Sequence, residues 1–260
     1  MHRFLASALL LLLPSVAQAD ARADIVALRH GRETSHQEFL GWTSDGRAVA
    51  RRLVCSEDGE STCRASIDAL AVGAPQHTTV LWSQDQAPDD EDIPQAKSPI
   101  STAQATRFIR AERRALEGLG RLSPGTAVAD PAGAFGLVGG EPTEIYLRES
   151  GHPTQEEALR PHVAVRGPRG VSVDLEQLGN EPWRIEGVQV LDAQLDPEGR
   201  AVWVALQYQD GVMCWDGEDI EFTVAERARV RAQLANAAGL RAYRAGELDE
   251  AGALWLEATA

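Results

Sequence analysis

The stretch Ala201-Val202-Trp203-Val204-Ala205-Leu206 is apolar at every position. Successive side chains of a β-strand point to opposite faces, so a strand with one wet face alternates apolar and polar residues, whereas an unbroken apolar run needs cover on both faces. The stretch predicts a central strand, running over residues 200–208 and buried from two sides. Such a strand requires a sheet with further layers packed on it, which makes the fold β-rich.

Working outward, strands are expected at 25–28, 38–43, 47–55, 63–72 and 78–82, and again at 143–148, 162–166, 171–175 and 184–194, separated by Gly, Asp, Ser and Pro. Short strands in succession imply antiparallel hairpins. Between 48 and 55 the larger apolar residues Val49, Leu53 and Cys55 alternate with smaller or polar ones, which suits a sheet with one solvated face and which Arg51 fits poorly. Residues 85–99 carry Asp89-Asp90-Glu91-Asp92 between prolines and read as a solvated loop, since they have almost nothing to bury. Ser101 or Thr102 can cap a helix reaching about Gly118, with Phe108, Ile109, Ala115, Leu116 and Leu119 on one stripe and arginines elsewhere. The expected class is α+β. A β-rich antiparallel hairpin domain with one amphipathic helix occupies 20–222, and a short helical hairpin occupies 223–260.

The first residues are expected to direct export. Met1-His2-Arg3 supplies a positive end, residues 4–13 an apolar middle, and Ala17-Gln18-Ala19 a small-residue exit, which together read as a signal peptide over 1–19. The apolar run falls short of the ~20 residues that span a bilayer, and no later segment approaches that length, so no membrane span is expected. A periplasmic or secreted location follows. There a disulfide can persist, and Cys55 and Cys63 bracket an Asp-Gly reversal, so a bridge between them is expected, with Cys214 left over as an alternative partner.

The net charge of -14, with Lys97 the only lysine and no basic cluster, argues against nucleic acid or anionic membrane surfaces as partners. No cofactor or metal is expected, because the three cysteines and six histidines do not fall at ligand spacing. The oligomeric state is left open by the sequence.

Three resemblances bear on function. Residues 39–50 and 190–203 each run as an apolar strand, a polar turn ending in Gly-Arg (Gly46-Arg47 and Gly199-Arg200), and a second apolar strand. Both resemble the strand-turn-strand unit of TolB-like β-propeller repeats, which implies a hairpin at each. Residues 235–258 resemble one tetratricopeptide repeat. The resemblance implies that Gly239 and Tyr243 serve the first helix, Gly246 the turn, and Ala251, Trp255 and Ala258 the second helix, with small residues admitting aromatic ones. A single repeat cannot bury its own face, so it either docks on the preceding domain or belongs to a longer array. Finally, residues 25–34 place Arg29-His30-Gly31 after an apolar run, which looks like the histidine phosphatase superfamily and implies His30 as nucleophile and Arg29 as phosphate clamp. Arg32 interrupts the Gly-Glu-Thr run that would follow, and no second His-Gly strand lies downstream. The leading expectation is an exported, non-catalytic binding or scaffold protein that contacts another protein through its helical end. A phosphomonoesterase built on His30 and Arg29 is the alternative.

Overall fold

A computed structural model describes residues 36–56, 62–74, 76–83, 102–150, 160–177, 185–210 and 217–260. The expected strand at 25–28 and the expected loop at 85–99 lie outside these residues. The class is α+β: antiparallel sheets, one helix inserted between them, and a helical pair at the C-terminal end.

The first sheet is a meander of β1 (His36–Trp42), β2 (Ala48–Ser56), β3 (Thr62–Leu70) and β4 (His77–Ser83), paired in chain order. Its register places Val49 opposite Ala69, Arg51 opposite Ile67 and Leu53 opposite Ala65, so these side chains share one face. Helix α1 (Thr102–Leu119) covers that face with Phe108, Leu116 and Leu119. The opposite face, with Ala48, Ala50 and Leu70, packs on Trp203, Ala205 and Phe222 of another sheet. The single solvated face expected for this sheet is therefore corrected: both faces are covered. Ala48 and Ala50 are small because an indole and a phenyl ring occupy the space above them, which the sequence pattern alone could not distinguish from exposure.

This two-sided cover explains Arg51-Arg52. The two arginines point to opposite faces of β2, and each meets carboxylates where it is buried. Arg51, 1% exposed, reaches Glu38 at 2.6 Å and Glu112 of α1 at 3.3 Å. Arg52 reaches the fully buried Asp68 at 3.1 Å, with its guanidinium 5.6 Å from the centre of the Phe222 ring. Removing either partner would strand a charge in an apolar layer, so these pairs fix how the layers meet.

The chain then forms β5 (Thr126–Ala127), a 3-10 turn at Pro131–Gly133, and a small hairpin of β6 (Leu137–Val138) and β7 (Glu141–Pro142). The second sheet, β8 (Glu144–Ser150), β9 (Arg160–Arg166) and β10 (Ser172–Gln177), follows, with a turn at Pro168–Gly170 joining its last two strands. The third sheet has the order β13-β12-β11-β5, built from β11 (Ile185–Leu195), β12 (Ala201–Asp210) and β13 (Gly217–Glu226). Helices α2 (Arg227–Arg244) and α3 (Leu248–Ala258) end the chain.

The run 201–206 is the centre of this arrangement. Trp203 and Ala205 face the first sheet, with Trp203 stacked 4.9 Å from Phe39. Val202, Val204 and Leu206 face the other way, into a core closed by Val163 and Val165 of β9, Phe135, and Leu234 and Ala238 of α2. The two Gly-Arg turns form hairpins as their sequences imply, with Gly46 at φ 80° and Gly199 at φ 70°, the left-handed region that glycine enters at low cost. The two hairpins touch: Trp42, ending β1, donates from Nε1 to the Leu195 carbonyl, ending β11, at 3.1 Å. No helix among the described residues is long and apolar enough to cross a membrane.

Candidate functional site

The C-terminal helices carry the largest concentration of exposed apolar side chains, and their geometry follows from composition. Helix α2 contains six alanines and no acid, which favours helix and allows close packing. Its buried residues, Val230, Leu234, Ala235, Ala238, Gly239 and Ala242, recur at three and four, the period of one helix face. The helix begins at Arg227, not at residue 223, because β13 continues to Glu226. It closes with basic Arg241 and Arg244 in its last turn, while α3 opens with acidic Asp249 and Glu250, each the sign favoured by the helix dipole.

Gly239 is where the two helices approach. A Cβ on this residue would lie 2.7 Å from Nε1 of Trp255, so the indole rests against bare backbone. Tyr243 stacks on the same indole with ring centres 5.8 Å apart, and Ala251 is buried while Ala258 packs at the core edge. Gly246, at φ 82°, makes the reversal between the helices. Gly239, Tyr243, Gly246, Ala251, Trp255 and Ala258 thus meet in one helical hairpin.

The hairpin is fixed to the body. Leu234 abuts Gly167 and Leu254 abuts Gly139, where an added Cβ would lie 3.1 and 2.7 Å from a leucine methyl. The Gly139 N–H donates to Glu257 Oε2 at 2.7 Å, and Arg231 holds the other Glu257 oxygen at 3.1 Å. Arg169, the non-glycine residue of the described chain with positive φ (56°), donates to Glu250 at 2.6 and 2.9 Å and to Glu247, while Arg241 donates to the Arg169 carbonyl. A strained backbone at this point is held by contacts from three residues of the hairpin.

What remains uncovered is the outer side. At about 100° per residue, Leu240 and Tyr243 lie about 200° and 140° around α2 from the buried Ala238, and Leu256 lies about 200° around α3 from the buried Leu254. Leu240, Tyr243, Leu248 and Leu256 are 43%, 54%, 62% and 74% exposed. They account for half of the large, exposed apolar side chains among the described residues, although the hairpin is a small part of the chain. The sequence reading named the packing residues of this hairpin but not its outer leucines. Their signal was present as leucines outside the stripe set by Leu234, Ala238 and Ala242.

A shallow cleft of about 560 Å³ opens near the Arg169 turn, among Asp130, Thr143, Glu144, Arg166 and Arg169. Its cations are occupied: Arg166 pairs with Glu144 at 3.3 Å and stacks 4.3 Å from the Tyr146 ring centre, and Arg169 is held by α3. Among the described residues, no three His, Cys, Asp or Glu side chains gather as a metal site. One carboxyl stands out electrostatically. Hydrogen bonds from the Thr43 hydroxyl and from Arg47, 3.1 Å away, hold Asp45 below the usual aspartate range.

The β2–β3 register sets Cys55 directly opposite Cys63. Opposed residues in an antiparallel pair have Cα separations of about 4.5 or 5.5 Å, both inside the disulfide range. Arg29 and His30 lie outside the described residues, as does Cys214. Every strand pair that is described is antiparallel. Comparison with protein-family models, with curated proteins and with solved structures finds no match to this chain.

Proposed function

We propose that this protein is an exported, non-catalytic binding or scaffold protein whose contact surface is the outer face of the α2–α3 hairpin. The observation that carries the reading is the clustering of Leu240, Tyr243, Leu248 and Leu256 on a face that the body leaves open, while the opposite face is anchored in the core. Contiguous apolar surface on a folded protein marks a place where another surface binds. Here the ordering cost is small, because two helices clamped by Arg169, Glu257 and the Gly239–Trp255 contact present those side chains on a rigid frame. Export rests on the residues at 1–19, and the acidic balance of the chain favours protein over nucleic acid as the partner.

Deleting the hairpin is not a clean test, since it would remove Leu234, Ala238 and Leu254 from the core. Substituting its outer face is. A Leu240→Glu, Leu256→Glu double variant should keep the melting temperature of the parent and lose the proteins that co-isolate with it from its own cells. A Val80→Glu control, exposed on β4, should retain them. Equal retention by all three proteins would count against the reading.

A further inference from the structure

Building on that reading, we infer that the occupant of the hairpin's outer face is a second copy of this chain. Charge is divided between the exposed sides of the two helices. Arg231, Arg241, Glu250 and Glu257 are engaged within the chain, and what remains exposed is Arg229 and Arg244 on α2, which carries no acid, and Asp249 on α3, which carries no base. From residue 227 onward five arginines stand against four acids, a balance of +1, so the -14 of the chain comes entirely from the residues before it. The acidic body repels a second copy, but the hairpin does not. It presents a near-neutral, apolar face with a basic helix on one side and an acidic helix on the other.

That division is self-complementary under one symmetry only. A two-fold axis parallel to the helices lays α2 of one copy on α3 of the other, and an isologous contact of this kind uses the same patch twice. An axis across the helices would instead set α2 on α2, arginine against arginine. In the favoured arrangement the chain directions also agree. Arg244, ending α2, and Asp249, opening α3, sit together at the loop end of the hairpin and are both exposed. The axis keeps loop end on loop end, so Arg244 of each copy meets Asp249 of the second copy. One turn down α2 and two turns down α3, where side chains lean toward each helix's N-terminus and so toward each other, Leu240 approaches Leu256 of the second copy. Apolar residues at the centre and a charged pair at the rim are the usual division in a protein contact, with the rim pairs setting orientation.

The test is sedimentation equilibrium of the purified full chain and of four variants, with circular dichroism confirming an unchanged fold for each. The parent should sediment at twice its monomer mass, and Leu256→Glu at the monomer mass. Arg244→Glu alone and Asp249→Arg alone should each weaken association at least ~10-fold, and the two together should restore it to within a few-fold of the parent. A parent that stays monomeric at the highest concentration reached would overturn the inference, as would a dimer that survives Leu256→Glu or a charge exchange that fails to restore association. If the parent is monomeric yet still retains a different protein through Leu240 and Leu256, the second copy is refuted and the binding reading stands. If neither occurs, both fall.

Discussion

Exchanging a single hydrogen for a methyl group at two helical glycines should move stability in opposite directions. Alanine is a better helix former than glycine by about 1 kcal/mol, so an unhindered helical glycine gains from the change. Gly252 in α3 is unhindered, with no atom within 4 Å of an added Cβ. Gly252→Ala should therefore stabilise by about 0.5–1 kcal/mol. At Gly239 the same methyl would sit 2.7 Å from Nε1 and 2.8 Å from Cδ1 of Trp255. An indole cannot bend away, and Tyr243 blocks one side of it, so the helices must part. Overpacking of this kind costs about 1–3 kcal/mol, more than the propensity gain. Gly239→Ala should be destabilising by about 1–2 kcal/mol net, or a fall in melting temperature of about 2–6 °C for a chain of this size. Urea titration followed by circular dichroism reads both variants, and adding Trp255→Leu to Gly239→Ala should recover most of the loss. If Gly239→Ala proved as stabilising as Gly252→Ala, the close approach of α2 and α3 would be refuted.

Three further outcomes follow from other parts of the molecule. Arg51→Met leaves Glu38 and Glu112 without the guanidinium between them and should destabilise by about 3–5 kcal/mol in chemical denaturation, with Glu112→Leu in the same chain recovering part of it. Under oxidising conditions we propose that Cys55 and Cys63 join, so thiol titration of the denatured chain should find one free thiol, Cys214, and reduction should remove about 2–3 kcal/mol of stability; three free thiols before reduction would contradict it. Because the Asp45 carboxyl is depressed in the folded state, its contribution is present above the unfolded aspartate value near 4 and is lost as pH falls through the lower folded value. NMR titration should therefore show Asp45 protonating below the ordinary aspartate value, and Asp45→Asn should flatten that part of the stability profile.

Much of the fold was legible because the residues that decide it are extreme. An unbroken apolar run at 201–206 admits few environments, and two Gly-Arg turns admit one backbone. The helix at 102–119 declared itself through its apolar stripe, although Ile109, read as part of that stripe, is exposed and Glu112 is buried against Arg51. Strand β13 did not, because Glu218, Asp219 and Glu221 at its start resemble a loop; it lies at the edge of its sheet, where one side needs no partner strand and acids are tolerated. The second covered face of the first sheet was hidden for a different reason. Ala48 and Ala50 carry too little side chain to signal burial, and Arg52 is a charge whose pairing with Asp68, from a neighbouring strand, sequence alone does not show. The candidate site divides the same way. Close contacts such as Gly239 with Trp255 leave a small-residue and aromatic signature in sequence. The exposure of Leu240 and Leu256 shows locally only as leucines off the buried stripe, and whether another part of the chain covers them is not encoded there.

The central claim is that the outer face of the hairpin touches protein where this chain resides. A photoreactive amino acid placed in the full chain at Leu256, at Leu240, or at the control position Val80, and activated in the producing cells, tests it directly. Adducts of twice the chain's own mass are expected from positions 256 and 240, and none from position 80. Adducts from position 80 alone, or from none of the three, would contradict it.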